Sequence, residues 1–434
     1  MINLCTSMSL EKYELVQTFK DINSVNQYYQ RLLKANDYSL KIAKIGIRNY
    51  NSLIAFYKSP ILMAILETFL SRIQQFKARI LSVIAMQNDR FILVLKESID
   101  LSSFAQQLSD YLGSPILVEK HRILLETSIA TMVVTSSEPS FECVLRKLSQ
   151  TMIVSNNTNA IAMYTDKVGN TVKRKQQITA ALIDLLAGNK KNKIVMDYQP
   201  IINLEKNRIA GFESLARLHT EALGIVSPTE FIAIAEASSM MPELSPFIID
   251  AAFNGYQELR DIDASLALGI NVSINELMNV QYINTLCNIR KLYNVPPSSI
   301  RIELTESALI QDFSGTIEVL SDLKSRGYSI VIDDFGSGYS NLSYIVHLPI
   351  DAVKIDRSFI QQLDKHDDYF TFLSGIVFAL HSVGLQVAVE GVETYEQARQ
   401  VQQLSPLYVQ GYHYAKPLSV DRIKKELLHK KSSC

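Results

Sequence analysis

Five carboxylates, one amide and one amine stand out in this sequence as groups able to act together. Glu213, Glu303, Asp333, Asp334 and Glu390 each lie within or at the end of a short β-branched run, and so do Asn271 and Lys354. Acids gathered in one place cannot all ionise without compensating charge, because each like charge raises the pKa of the next. Lys354 supplies one positive charge, and metal cations are expected to supply the rest. Oxygen donors with an asparagine, and neither histidine nor thiolate, select Mg2+ or Mn2+ over zinc. Two such ions bridged by a shared aspartate would activate a water and stabilise the leaving oxygen in phosphodiester hydrolysis.

This chemistry requires a fold that brings these positions to one mouth. From Val195 onward short strand-like runs alternate with helical segments: VMDYQ (195–199), IAGFESLAR (209–217), LALGINVS (266–273), IRIELTE (300–306), SIVIDD (329–334), AVKID (352–356), LQVAVEG (385–391) and LYVQG (407–411). Eight runs in about 240 residues have the size of an α/β (β/α)8 TIM-type barrel, whose sites lie at the C-terminal strand ends. Only a short link containing Asn203 and Asn207 separates the first two runs. Parallel strands need a longer crossover, so the first strand is expected to be antiparallel to its neighbour. Helices are expected at 228–240 and 246–260, each opening on a proline.

Alternate residues of a strand share a face. Glu213 and Arg217 then fall together, Asn271 opposes Ile270 and Val272, and Glu303 opposes Ile302 and Leu304. Lys354 and Asp356 oppose Val353 and Ile355, and Glu390 opposes Val389. The apolar series suits the outer helices, which leaves the charged series pointing inward. Asp333 and Asp334 close the fifth run, where Gly336 and Gly338 allow the chain to pass close to a ligand.

Residues 1–168 read as α+β, with a helix near 9–35, a strand at 40–47, a helix near 60–76 and hairpin-like runs at 79–86 and 90–96. Ile178, Leu182 and Leu185 mark a connecting helix over 169–189, and the barrel occupies 190–434. With 47% hydrophobic and 20% charged residues and a net charge of -1, composition suits a folded protein and advertises no nucleic-acid polymer as partner. Four scattered cysteines fit a reducing cytoplasm, and no membrane span is expected. Lys424, Lys425 and the terminal KKSSC read as a solvated end.

The segment from about 190 to 428 resembles the EAL-domain cyclic di-GMP phosphodiesterases through YQP at 198–200, ESLAR, NVS, ELTES, DDFGSGYSNL, KIDRSF, VEGVET and QGY. The resemblance implies a barrel with one antiparallel strand that hydrolyses cyclic di-GMP to linear pGpG. It further implies Glu213, Asn271, Glu303 and Asp333 as ligands of a first ion, and Asp333 and Asp334 as ligands of a second. Glu390 joins them directly or through water. Lys354 would orient the attacking water, with Glu213, Lys354 and Glu390 forming the catalytic set. Gln410 would hold the water network, and Gln199, Arg217 and Asp356 would contact the dinucleotide. Glu306 would brace the loop after Asp334, and Glu393 would be a supporting acid. One departure is Ser214, which stands where the signature EAL tripeptide has alanine; its parity is outward. The resemblance also implies a barrel-to-barrel homodimer.

The N-terminal segment is similar to a degenerate GGDEF domain, with QNDRF at 87–91 in the place of the signature and no RxxD motif over 78–81. Such a domain would be regulatory and without cyclase chemistry. The alternative for the barrel is a receptor that binds cyclic di-GMP, or a protein, without turnover. A further expectation concerns Glu213→Gln. Removing one of five repelling acids should leave the metal-free melting temperature unchanged or raised.

Overall fold

The computed structural model describes residues 13, 15–19, 21–87, 89–138, 140–157, 160–306, 313–336, 345–363 and 369–428. Gly338, Asn88 and KKSSC therefore lie outside the described residues. The chain divides into two units, Met1–Gln176 and Gln177–Cys434. The division falls within one helix, Asp166–Leu186, whose second half buries Ile178, Leu182 and Leu185 against Leu218, Phe231 and Leu244 of the second unit. The helix thus starts ahead of residue 169, and Gly188 follows it at φ 81°.

In the first unit the strands are β1 (Val16–Gln17), β2 (Leu40–Ile47), β3 (Ile80–Gln87), β4 (Arg90–Leu95), β5 (Ile116–Val118), β6 (His121–Ile123), β7 (Thr127–Val134) and β8 (Ile161–Met163). They form a six-stranded sheet ordered β1-β3-β4-β2-β7-β8, with β5 and β6 as a separate hairpin. Apolar residues on both faces of β2 account for its burial. Ala43, Ile45 and Ile47 join one core cluster, and Leu40 and Ile42 join another beneath the helices Ile22–Ala35 and Phe141–Asn157. The helix expected near 9–35 begins only at Ile22. Asp21 accepts from the Ser24 amide at 2.7 Å and caps it there, while Val16 and Gln17 pair with β3.

The second unit contains β9 (Lys193–Asn203), β10 (Arg208–Thr220), β11 (Gly224–Val226), β12 (Ala267–Asn271), β13 (Ile300–Thr305), β14 (Ser329–Phe335), β15 (Ala352–Ile355), β16 (Gln386–Val389) and β17 (Tyr408–Val409). Eight of these close a barrel in the order β10-β12-β13-β14-β15-β16-β17-β9, with β9 pairing back to β10 and β11 appended outside. The six steps from β10 to β17 are parallel, whereas β9 is antiparallel to both neighbours. Its tight link to β10 rests on Asn203, whose side chain accepts from the Lys206 amide at 2.8 Å, and on Asn207 at φ 44°.

The apolar series of the parallel strands, including Ile302, Leu304, Ile332, Val353, Ile355, Val387 and Val389, is fully buried in one cluster shared with the surrounding helices. The expected facing of the strands is therefore observed. Two local readings change. Pro246 does not open a helix but lies inside Met241–Arg260, because Pro242 already occupies its first turn. Lys424 is not merely solvated, since it pairs with Glu258 at 2.7 Å. No helix among the described residues is long and apolar enough to cross a membrane.

Candidate active site

Lys354 projects from β15 into the barrel and is 3% exposed. Its ammonium meets Glu390 Oε1 at 2.6 Å, Glu303 Oε2 at 3.0 Å, Glu213 Oε2 at 3.2 Å and Asp333 Oδ1 at 3.3 Å. Four strands other than its own supply these acids: β10 carries Glu213, β13 Glu303, β14 Asp333, and β16 leads into Glu390. Glu213 also accepts from Asn271 Nδ2 at 2.8 Å and from Gln410 Nε2 at 2.7 Å. A Cβ at Gly269 would collide with the Glu303 carboxylate, so only glycine at that point of β12 lets Glu303 lie where it does.

Asp333 and Asp334 reach one centre because β14 is bulged at them. The register against β15 shifts between Ile332 and Phe335, and Asp334 adopts a left-handed φ of 54°. The strand runs on to Phe335 instead of ending at the two aspartates, and the bulge re-aims the side chains that a regular strand would send to opposite faces. The Asp334 amide donates to Asp333 Oδ1 at 2.9 Å. Beyond the bulge, the Gly336 amide donates to Glu306 Oε2 at 3.0 Å. Gly336 has φ 91°, and a Cβ there would run into the ring of Phe359. Removing the Glu306 acceptor by Glu306→Ala should loosen this segment and lower metal affinity and turnover roughly 10–100-fold. Titrating activity against Mn2+ checks this; an unchanged metal dependence would exclude the bracing role.

Burial acts against every charge here, and the neighbours decide the outcome. Burial pushes the Glu213 carboxyl up, but Lys354 and the hydrogen bonds from Asn271 and Gln410 outweigh it and hold it below the usual carboxylate range. Glu303 is pushed up to about 8 by burial, which Lys354 only partly offsets, with Glu213 and Asp333 adding to the rise. Glu390 is raised well above its ordinary value by burial, against the pull of Lys354. Asp334 is also raised, by burial and then by the charges of Asp333 and Asp356. Burial alone would lower Lys354, yet the surrounding acids Asp333, Glu213, Glu303 and Glu390 raise it well above its ordinary value.

The same acids fall into two overlapping ligand groups. Glu213, Glu303 and Asp333 offer oxygens within 4.8 Å of one another, and so do Asp333, Asp334 and Glu390. Asp333 belongs to both. The buried Gln410 Oε1 has no hydrogen-bond partner, leaving an acceptor beside the cluster. An all-oxygen donor set with raised carboxyls and an open acceptor fits hard divalent cations and their waters.

Other expected residues lie at varying distance from this centre. Gln199 is paired across the ladder with Glu213, and its Nε2 donates to the Ala415 carbonyl at 3.4 Å. Arg217 is bound to Asp197 at 3.0 Å. Asp197 went unnoticed in the sequence, although its place two residues before Gln199 puts it on the same face. Asp356 accepts from the Ser358 amide at 2.9 Å at the start of the helix Arg357–Leu363. Glu393 has an exposed side chain with no hydrogen bond or ion pair of its carboxylate among the described residues, and its amide donates to Gln397 at 2.8 Å. Ser214, on the opposite face of β10 from Glu213, donates to the Gly269 carbonyl at 2.7 Å.

A family model described as the EAL domain matches residues 180–417. A cyclic di-GMP phosphodiesterase of Pseudomonas aeruginosa is 33% identical over 227 residues, covering 52% of this chain and 39% of that protein. The signaling protein YkoW of Bacillus subtilis is 26% identical over 374 residues, covering 82% of this chain and 46% of that protein. The chain thus spans less than half the length of these relatives. Among solved structures, the PaMucR phosphodiesterase in its c-di-GMP complex is similar at a TM-score of 0.53 and 27% identity, covering 57% of this chain and 99% of that one. The EAL enzyme Bd1971 with cAMP and cyclic-di-GMP bound is similar at 0.54 and 25% identity, covering 72% and 91%.

Proposed function

The chain belongs to the EAL domain family, and from that premise we propose that its barrel hydrolyses cyclic di-GMP to linear pGpG with two Mg2+ or Mn2+ ions. The observation that carries this is the pair of carboxylate groups joined through Asp333, with Lys354 among them. Glu213, Asn271, Glu303 and Asp333 would hold one ion, and Asp333, Asp334 and Glu390 the other. Bound there, the ions would lower the pKa of water and offset charge on the phosphoryl oxygens. Lys354 would donate a hydrogen bond to the attacking water and keep its oxygen in line with phosphorus, while the free Gln410 Oε1 would accept a hydrogen bond from that water. As the water oxygen bonds to phosphorus, the bond to the 3′ oxygen breaks, and a proton passes to that oxygen. Gln199, Arg217 and Asp356 would contact the dinucleotide, Arg217 exchanging part of its bond to Asp197 for phosphate.

In this reading residues 1–168 form a regulatory, GGDEF-like domain without cyclase chemistry, 169–189 the connecting helix and 190–434 the phosphodiesterase. The protein works as a homodimer in the cytoplasm. Chromatographic product analysis on the purified chain tests the activity. Cyclic di-GMP should disappear and pGpG accumulate with Mn2+ or Mg2+, turnover should stop in excess chelator, and Ca2+ should inhibit because its looser coordination misplaces the water. Tight binding of intact cyclic di-GMP with either metal present would replace the enzyme by a receptor.

A further inference from the structure

Residues that face each other across the antiparallel β9–β10 ladder share one side of the sheet. Gln199 faces Glu213, Asp197 faces Leu215, and Val195 faces Arg217. Asp197 is therefore one step nearer the mouth than Gln199 and lies diagonal to Arg217, within reach of a long side chain. Its Oδ2 stands 3.0 Å from Arg217 Nε. Arg217 Nη1 donates to the Ala216 carbonyl, also at 3.0 Å. Among the described residues Arg217 Nη2 engages no hydrogen bond or ion pair, and Asp197 has no partner besides this arginine. The two side chains are 18% and 30% exposed, Arg217 the lower, so the pair is partly sheltered at the rim of the mouth.

Two effects of this acid on an anionic ligand oppose each other. A carboxylate near a phosphate repels it, which weakens binding. The same carboxylate orders an arginine that would otherwise give up much rotamer freedom on meeting the phosphate, which strengthens binding. Solvent screens the repulsion at a partly exposed position, and the charge of Asp197 is already matched by Arg217. Ordering is not screened. The contacts at Nε and Nη1 fix the guanidinium plane in advance and leave Nη2 as the end still open to a ligand, so ordering decides the sign.

We propose that Asp197 is a positioning residue for the dinucleotide, acting through Arg217, whose guanidinium it holds at the rim so that Nη2 meets a phosphate. This rests on the phosphodiesterase reading and adds to it a group that touches no substrate. The test uses the full chain, with KM and kcat for cyclic di-GMP measured in Mn2+ and its Kd measured with Ca2+ in place of Mn2+. Asp197→Ala should raise KM and Kd at least ~5-fold and leave kcat within about 2-fold, because ground-state and transition-state binding suffer alike. Asp197→Asn keeps an acceptor beside Nε without the charge and should fall between the two. In an Arg217→Ala background, Asp197→Ala should change KM and Kd no further. If Arg217→Ala fails to fold, the KM-against-kcat split and the partial rescue by Asp197→Asn decide. Three results would each overturn the proposal: a lowered KM in Asp197→Ala, an effect that persists without Arg217, or a lowered melting temperature with KM and Kd unchanged. Wild type that binds cyclic di-GMP without turnover would remove the phosphodiesterase reading and leave Kd to decide on Asp197, whereas wild type that binds none would remove both.

Discussion

Glu213→Gln should cut the rate of cyclic di-GMP hydrolysis at least ~100-fold, because a charged oxygen donor is lost while side-chain volume is kept. The structure reverses the stability effect expected from repulsion alone. Ionised Glu213 accepts from Lys354, Asn271 and Gln410, and its pKa in the folded protein lies below the ordinary value. Its charge therefore stabilises the fold above the unfolded pKa, and that contribution is lost as pH falls through the folded value. The variant should melt lower than wild type in metal-free buffer at neutral pH. Glu303→Gln should behave oppositely. Glu303 is raised to about 8, so metal-free wild type loses stability as pH rises from the ordinary carboxyl range toward 8, and the substitution should flatten that decline. Melting both variants across this range, alongside turnover with Mn2+, provides the check. Near-normal turnover in Glu213→Gln would end its assignment as a ligand.

Lys354→Met should be the most destabilising of these changes when metal is absent. It keeps much of the side-chain volume but leaves Glu213, Glu303, Asp333 and Glu390 without the cation that all four now touch. Breaking buried ion pairs from one side typically costs about 3–5 kcal/mol. The pKa of Lys354 is raised, so its contribution is fully present below its unfolded value and is lost only as pH rises through the folded one; at neutral pH the whole effect is exposed. Added Mn2+ should stabilise the variant more than wild type, since the ions then offset charge that Lys354 no longer does. Turnover should remain at least ~100-fold down even when stability is restored, because the donor to water is gone. Denaturant titrations with and without Mn2+, with rates on the same samples, measure both. Equal stability of variant and wild type in chelator would contradict the central placement of this lysine.

Much of this site could be read from the strands as written. A period of two assigns a face, and runs such as IRIELT and SIVIDD, with apolar residues on one face and Glu303 or Asp333 on the other, can be buried on both sides only if the acids turn inward. The short link with Asn203 and Asn207 likewise forced β9 to run against its neighbours. Periodicity carries no distances across the barrel, however. That one ammonium touches four acids depends on closure of the sheet, which sets Glu213 and Lys354, 141 positions apart in the chain, at 3.2 Å. The bulge at Asp333 and Asp334 depends on pairing with β15, and the Arg217–Asp197 bond on register with β9. Neither is legible in either strand alone. The sign of each pKa shift was also beyond the sequence. Glu213 and Glu303 are equivalent by residue type and parity, yet one is lowered and the other raised, because the first gains three donors and the second meets burial with fewer.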